Sequence, residues 1–329
     1  MPFDLLSAAL ELVRLTGALM FRVDLREPFG IASDPAQDRF AALLPTGTSQ
    51  VVAFHIVLDG ACWMRHAPTE WFRAAAGDAV VMPLGGAHDV ADRPQRPRAS
   101  LAAALQGRSV PDLRRVVFGD GPNVSASLLC GFLGCDRRAF EPLFNALPAC
   151  FRVRLDDCFD TLVRFAVGET QDDGPGTASL RLRLAELLFM QALRRWMQEL
   201  PGDATGWLAG LRDPQVGRAL RALHEAPCKR WTVEELADAA ASSRSSLAVR
   251  FRELIGEPPM HYLTHLRMQL AARQLCQRAC SVASLADEVG YDSAAAFQRA
   301  FKRCFGVPPA AWRRSAVARA AAIDPRVSS

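Results

Sequence analysis

A chain of 329 residues, half of them apolar and with a formal charge of +4, is long for one domain and sufficient for two hydrophobic cores. No run of roughly 18 apolar residues occurs, and Asp4 and Glu11 stand where a basic leader would lie, so the reading is a soluble cytoplasmic protein without a membrane span or signal peptide. Nine irregularly spaced cysteines exclude a disulfide framework as the organising principle and point to reduced thiols that are mostly buried.

From about Val23 to Leu133 short apolar runs are broken by Gly, Pro and Asp. The run Val51–Leu58, the dipeptide Asp59-Gly60 and the run Ala61–Met64 predict a β-hairpin. Further strands are predicted at Phe72-Arg73, Ala79–Met82 and Ser125–Phe132, so this half is mainly β. From Pro142 onward the period becomes helical, most clearly over Leu180–Leu200, a segment suited either to a dimer interface or to the core. Stretches 171–176 and 201–214, containing Gly, Asp and Pro, read as linkers.

The last third contains a repeat. Leu236-Ala237-Asp238, Phe251, Gly256 and Pro258-Pro259 recur as Leu285-Ala286-Asp287, Phe301, Gly306 and Pro308-Pro309. Each copy reads as a short helix, a tight turn and a second helix, the grammar of a helix-turn-helix. Thr232 with Glu235 forms a capping box for the first copy and Ser243 caps its second helix; Ser281 and then Asp292 or Ser293 do the same in the second copy. The turn carries Gly290 in one copy and Ala241 in the other. A helix of roughly 20 residues between the copies spans about 30 Å, close to the spacing of successive major grooves. Residues 206–320 hold 17 basic against 10 acidic side chains, whereas the remainder holds 22 against 25, so the repeat lies in the basic part of the chain.

The spaced positions Ala286, Gly290-Tyr291, Phe297, Arg299, Phe301-Lys302, Phe305-Gly306-Val307, Pro309 and Trp312-Arg313 resemble the signature of the AraC/XylS family of bacterial transcription regulators. The resemblance covers about Pro214 to Arg314 and implies a double helix-turn-helix domain with recognition helices at Ser243–Leu254 and Ser293–Cys304. By that resemblance Arg244, Ser245, Ala248, Val249 and Arg250 on the first helix face DNA, and Ser293, Ala294, Ala295, Arg299 and Lys302 do so on the second. Arg299 is the long donor able to reach a guanine edge or a phosphate. Ala248 and Val249 stand where the family often has Arg or Gln, which leaves the first unit few donors for base reading.

Gly77-Asp78, Pro83, Gly85, His88 and Asp92 resemble the second sequence motif of the cupin superfamily, with Asp92 where Asn is usual. The resemblance spans roughly residues 20–135 and implies a β-barrel with His88 pointing inward. A catalytic cupin holds its metal with three His, two of them spaced His-x-His, and a carboxylate. Here no His-x-His occurs and this half holds only His55, His66 and His88, so the reading is not an enzyme and no cofactor is named. A metal-dependent cupin enzyme fused to a DNA-binding arm is the alternative, and a weaker metal site would use His55, His88 and Cys62. Sensing residues are read as His55, Cys62, His88, Cys130 and Cys135, with Arg137 and Arg138 placed to activate Cys135 if the signal is redox.

The fold class expected is therefore α+β in two domains: a cupin-like sensor and dimerisation domain over 1–200, a β-barrel with following helices, and an all-α double helix-turn-helix domain over 206–320. The expected partners are double-stranded promoter DNA, RNA polymerase, a small-molecule or redox effector and a second copy of the chain, with no membrane.

Overall fold

A computed structural model describes residues 4–13, 15–33, 44, 50–104, 114–135, 141–172, 174–278 and 280–314. In chain order the first part contains α1 (Leu5–Leu12), β1 (Leu15–Arg26), β2 (Gly30–Ser33), β3 (Gln50–His66), β4 (Phe72–Ala75), β5 (Asp78–Met82), β6 (His88–Ala91) and β7 (Ala99–Ser100). There follow α2 (Leu101–Ala104), β8 (Arg115–Phe118), β9 (Val124–Cys135), α3 (Glu141–Asn145), β10 (Phe151–Arg154), α4 (Asp157–Glu169) and α5 (Thr177–Glu199). The remainder is helical: α6 (Trp207–Arg212), α7 (Pro214–Glu225), α8 (Val233–Ala239), α9 (Arg244–Ile255), α10 (Pro259–Gln277), α11 (Val282–Glu288) and α12 (Ala294–Phe305). The chain divides into two compact units: Leu15–Asp136 with Leu147–Glu199, and Met1–Arg14, Arg137–Ala146 and Leu200–Ser329.

The first unit is a curled sheet, a cupin-like half-barrel, with strand order β7-β2-β6-β3-β9-β1-β8; β4 and β5 also pair with β3, and β10 pairs with β5. Alternation along the strands sorts side chains to two faces. Phe21, Val23, Ala53, Val57, Leu128, Cys130 and Phe132 fill the inner core. Val52, Phe54, Ile56, Leu129 and Leu133, equally buried, face outward, where α5 packs across β1, β9, β10 and β5. Leu184, Ala185, Leu188, Phe189, Ala192 and Leu193 of α5 are buried, so this face of the helix serves the core; Leu180 and Leu187 stay exposed.

The hairpin expected at Asp59-Gly60 does not form. Val51–Leu58 and Ala61–Met64 belong to one strand of 17 residues, β3. Before Gly60 that strand pairs with β9, and beyond it with β4 and β6. Gly60, at φ +71° with a register shift between Val57 and Asp59, is a corner where the strand passes from one part of the curl to the other. The helical pattern assigned from Pro142 is likewise interrupted by β10, whose Phe151 and Val153 point in while Arg152 and Arg154 point out. Nor is 201–214 merely a linker, because Trp207, Leu208 and Ala209 are buried and form α6. Its Asp and Pro are capping grammar: the Asp213 carboxylate accepts from the backbone N–H groups of Gln215 and Val216, with Pro214 at the first position of α7.

In the second unit the expected caps are present. Thr232 and Glu235 make the reciprocal capping box of α8, and the hydroxyls of Ser243, Ser281 and Ser293 accept from the backbone N–H of Ser246, Ser284 and Ala296. Leu247 and Phe251 anchor α9, and Phe297 and Phe301 anchor α12, all fully buried. The helix α10, 19 residues long and so about 28 Å, joins the two halves. Its Arg267 donates to the carbonyls of Pro227 and Lys229 before α8 and of Gly290 in the second turn. Deeper in, the indole N–H of Trp207 donates to the Tyr262 hydroxyl at 2.7 Å, and that hydroxyl lies 2.7 Å from His224 Nε2.

The two turns differ as their residues require. Ala241 is held at φ +49° and Gly290 at φ +80°, a region that costs a residue with a Cβ about 1–2 kcal/mol. A Cβ on Gly290 would also lie 2.8 Å from the Cys228 carbonyl oxygen. Gly290→Ala is expected to lower the stability of this unit by about 2 kcal/mol, whereas Ala241→Gly, relieving strain but adding chain entropy, raises it by no more than about 1 kcal/mol. Urea denaturation of both variants checks the opposite signs.

Candidate functional site

The half-barrel carries a buried polar chain. His55 on β3 and Cys130 on β9 are cross-strand neighbours, and His55 Nδ1 lies 3.0 Å from Cys130 Sγ. His55 Nε2 lies 3.0 Å from His88 Nε2, and His88 Nδ1 lies 3.1 Å from the Gly86 carbonyl oxygen. These partners assign the protons. A carbonyl only accepts, so His88 Nδ1 carries hydrogen and its Nε2, in the neutral ring, accepts. His55 must then donate through Nε2, which leaves its Nδ1 to accept from the Cys130 thiol. The result is a directed run from Cys130 through His55 and His88 to Gly86. Burial keeps both imidazoles neutral, pulling His55 well below its ordinary range and His88 down as well.

Around this chain is a cavity of about 30 Å³, lined by Phe21, Val23, Ile31, Ser33, Val90, Leu128 and Phe132 among others, with space for about one water molecule. Cys62 shares the inner core. Its thiol is pushed up to about 12 by burial and by the nearby Asp78, and burial raises Cys130 further. A reactive cysteine needs the opposite shift. Cys135, fully buried, falls by alternation on the other face of β9 from Cys130, so it does not join the chain. Arg137 and Arg138 lie outside the described residues. Among the described residues no group of three or more His, Cys, Asp or Glu is placed to hold a metal.

The second site is the exposed faces of α9 and α12. On α9 Ser245, Ala248 and Val249 are exposed, as expected. Arg244 and Arg250 already have acidic partners: Arg244 pairs with Glu234, and Arg250 with Asp213 and Glu253. Since Asp213 caps α7, Arg250 ties α9 to that cap. On α12 Ser293, Ala295, Arg299 and Lys302 are exposed, whereas Ala294 is half-buried against the core of the second half. Gln298, missed by sequence reasoning, is exposed beside Arg299; the buried positions Phe297, Ala300 and Phe301 leave 295, 298, 299 and 302 on one face. Among the described residues no carboxylate pairs with Arg299.

One unit thus holds a buried polar core, and the other presents two capped, outward-facing helices. A family model described as "Cupin" matches residues 4–198, and one described as "Helix-turn-helix domain" matches 236–315. The chain is 34% identical over 270 residues to a putative AraC-like transcription regulator of Streptomyces lividans, covering 80% of this chain and 87% of that protein. It is 31% identical over 269 residues to the HTH-type transcriptional regulator AlkR of Acinetobacter baylyi, covering 79% and 87% respectively. A crystal structure of the DNA-binding domain of AdpA in complex with a target DNA matches at 32% identity and a TM-score of 0.31, covering 36% of this chain and 99% of that one. The chain belongs to the AraC-type family of DNA-binding transcription regulators. No helix among the described residues is long and apolar enough to cross a membrane.

Proposed function

We propose that the protein is a cytoplasmic, sequence-specific regulator without enzymatic activity, divided into a sensor over 1–200 and a DNA-reading arm over 206–320. The observation that carries the reading is the asymmetry of the recognition helices. α12 presents Gln298 and Arg299 side by side, groups that match adenine and guanine edges in the major groove. α9 presents Ser245, Ala248 and Val249, and its two arginines are engaged by carboxylates. α12 therefore does most of the base reading, and α9 contributes apolar contact and phosphate positioning.

The signal enters at His55, His88 and Cys130. The neutral, raised thiols favour a small effector with one hydrogen-bonding group over an oxidant, because that group can replace the His55–His88 contact without creating a buried charge. Its apolar body would open the cavity among Phe21, Leu128 and Phe132. Phe165, Leu180 and Leu187, exposed on α4 and α5, supply a surface for a second copy, and RNA polymerase is the further partner.

Selection of bound sequences from a random DNA pool by the full-length protein tests the reading. An enriched motif is expected, and Gln298→Ala or Arg299→Ala should each lose about 10- to 100-fold in preference at one position. Arg250→Ala should leave the motif intact. A motif unchanged by both α12 substitutions, or no enrichment with or without small-molecule extracts, would refute it.

A further inference from the structure

A cleft of about 430 Å³ lies wholly within the helical unit, away from the faces that read DNA. Its walls are the loop after α9, with Glu257; the middle of α10, with His265 and Gln269; and the end of α12, with Arg303. Gln269 is only 5% exposed, yet its side-chain Oε1 is buried without a hydrogen-bond partner. Reversing the amide would exchange one orphaned polar atom for another. An unsatisfied buried acceptor costs stability unless something occupies it part of the time.

The second observation is Arg303. Arg230, Arg244, Arg250 and Arg278 of this unit pair with carboxylates, but among the described residues no carboxylate pairs with Arg303. On the cleft wall Glu257 faces His265, with Nδ1 3.1 Å from Oε2. The cleft thus offers a cation, a carboxylate already partnered, and the side chain of Gln269, whose buried carbonyl lacks a donor until a turn of the amide presents it to the cleft.

We infer that this cleft binds a small carboxylic acid carrying a neighbouring hydroxyl or amino group: the acid on Arg303, the donor on the Gln269 carbonyl. The volume suits a compact metabolite. Because the walls come from both helix-turn-helix halves, an occupant bridges them and favours whichever arrangement of α9 and α12 it fits. This is a second input, separate from the one in the half-barrel.

The test uses the full-length protein without DNA, titrated calorimetrically with L-malate, L-serine and D-gluconate, and with acetate, which lacks the donor. At least one of the first three should bind saturably with a Kd below about 1 mM, and acetate should not. Arg303→Ala, an exposed change that folding tolerates, and Gln269→Leu should each weaken that binding more than about 10-fold. Gln269→Leu should also raise the unliganded Tm by about 2–4 °C, since it removes the orphaned acceptor. No saturable binding by any of the three up to about 10 mM, or binding that survives both substitutions, overturns the proposal. So does a fall in Tm for Gln269→Leu, which would mark the amide as a structural hydrogen-bonding group.

Discussion

Acidification from pH 6.5 to 4 should cost the helical unit about 3 kcal/mol through one residue, His224. Its imidazole is pulled down to about 4 by burial. Tyr262 accepts from the Trp207 indole, so its own hydroxyl proton points to His224 Nε2, which must remain a lone pair. The unfolded chain binds a proton on this histidine near pH 6.5 and the folded chain does not until about pH 4. Within that window the unfolded state holds more protons, so stability falls as the pH falls, and no further loss from this group follows below about 4. His224→Gln keeps an acceptor for the Tyr262 hydroxyl and removes the titration. Urea unfolding at several pH values should show the slope in the parent and a markedly smaller one in the variant. A slope unchanged by His224→Gln would place the acid sensitivity elsewhere, His55 and His88 being the buried neutral histidines of the other unit.

Gly131→Ala should destabilise the half-barrel by about 3 kcal/mol, at the upper end of what a single added methyl costs in a packed core. Gly131 pairs with Phe54 across β3 and β9, and the far end of the Phe54 ring fills the space a Cβ there would need. A Cβ there would stand 2.0 Å from the ring's Cζ and 2.3 Å from Cε1. The ring has little room to retreat, because it is itself only 2% exposed. Phe54→Leu in the Gly131→Ala background should recover much of the loss while costing stability on its own, a coupling that a double-mutant cycle reads directly. Additive effects would show that the glycine answers some other constraint. The neighbouring pair is His55 and Cys130, so the same strain would shift the thiol from the imidazole and change the affinity for any effector placed there.

Much of this architecture was legible because it rests on local chemistry. Caps at Thr232, Ser243, Ser281 and Ser293 follow from a hydroxyl facing orphaned backbone N–H groups, and the buried phenylalanines of α9 and α12 from helical spacing. What was not legible depends on partners distant in the chain. Asp59-Gly60 carries the local signature of a hairpin, and only the pairing of β3 with β9 on one side and with β4 and β6 on the other makes it a corner. His55 and His88, 33 residues apart, come together in the sequence only as ligands of a weaker metal site, and the direction of their hydrogen bonds needs Gly86 and Cys130 in place. Arg250 reads as a free cation in sequence and becomes a structural tie only when Asp213 lies beside it. Gln298 is not legible for a different reason: it sits between family-like positions, and only the burial of its neighbours fixes which way it faces.

The Arg267 guanidinium, grasping carbonyls ahead of α8 and in the turn before α12, sets the spacing of α9 and α12 while the cleft beside them is empty, like the teeth of one comb. A comb does not stretch to suit its substrate. Adding about five base pairs between the two contacted segments rotates one of them to the far side of the duplex, where its tooth cannot follow, while adding a full helical turn leaves it facing correctly but out of reach. Operators for this protein are therefore expected to be set as much by phase and length as by letters, and a short insertion that alters none of the contacted bases should abolish binding.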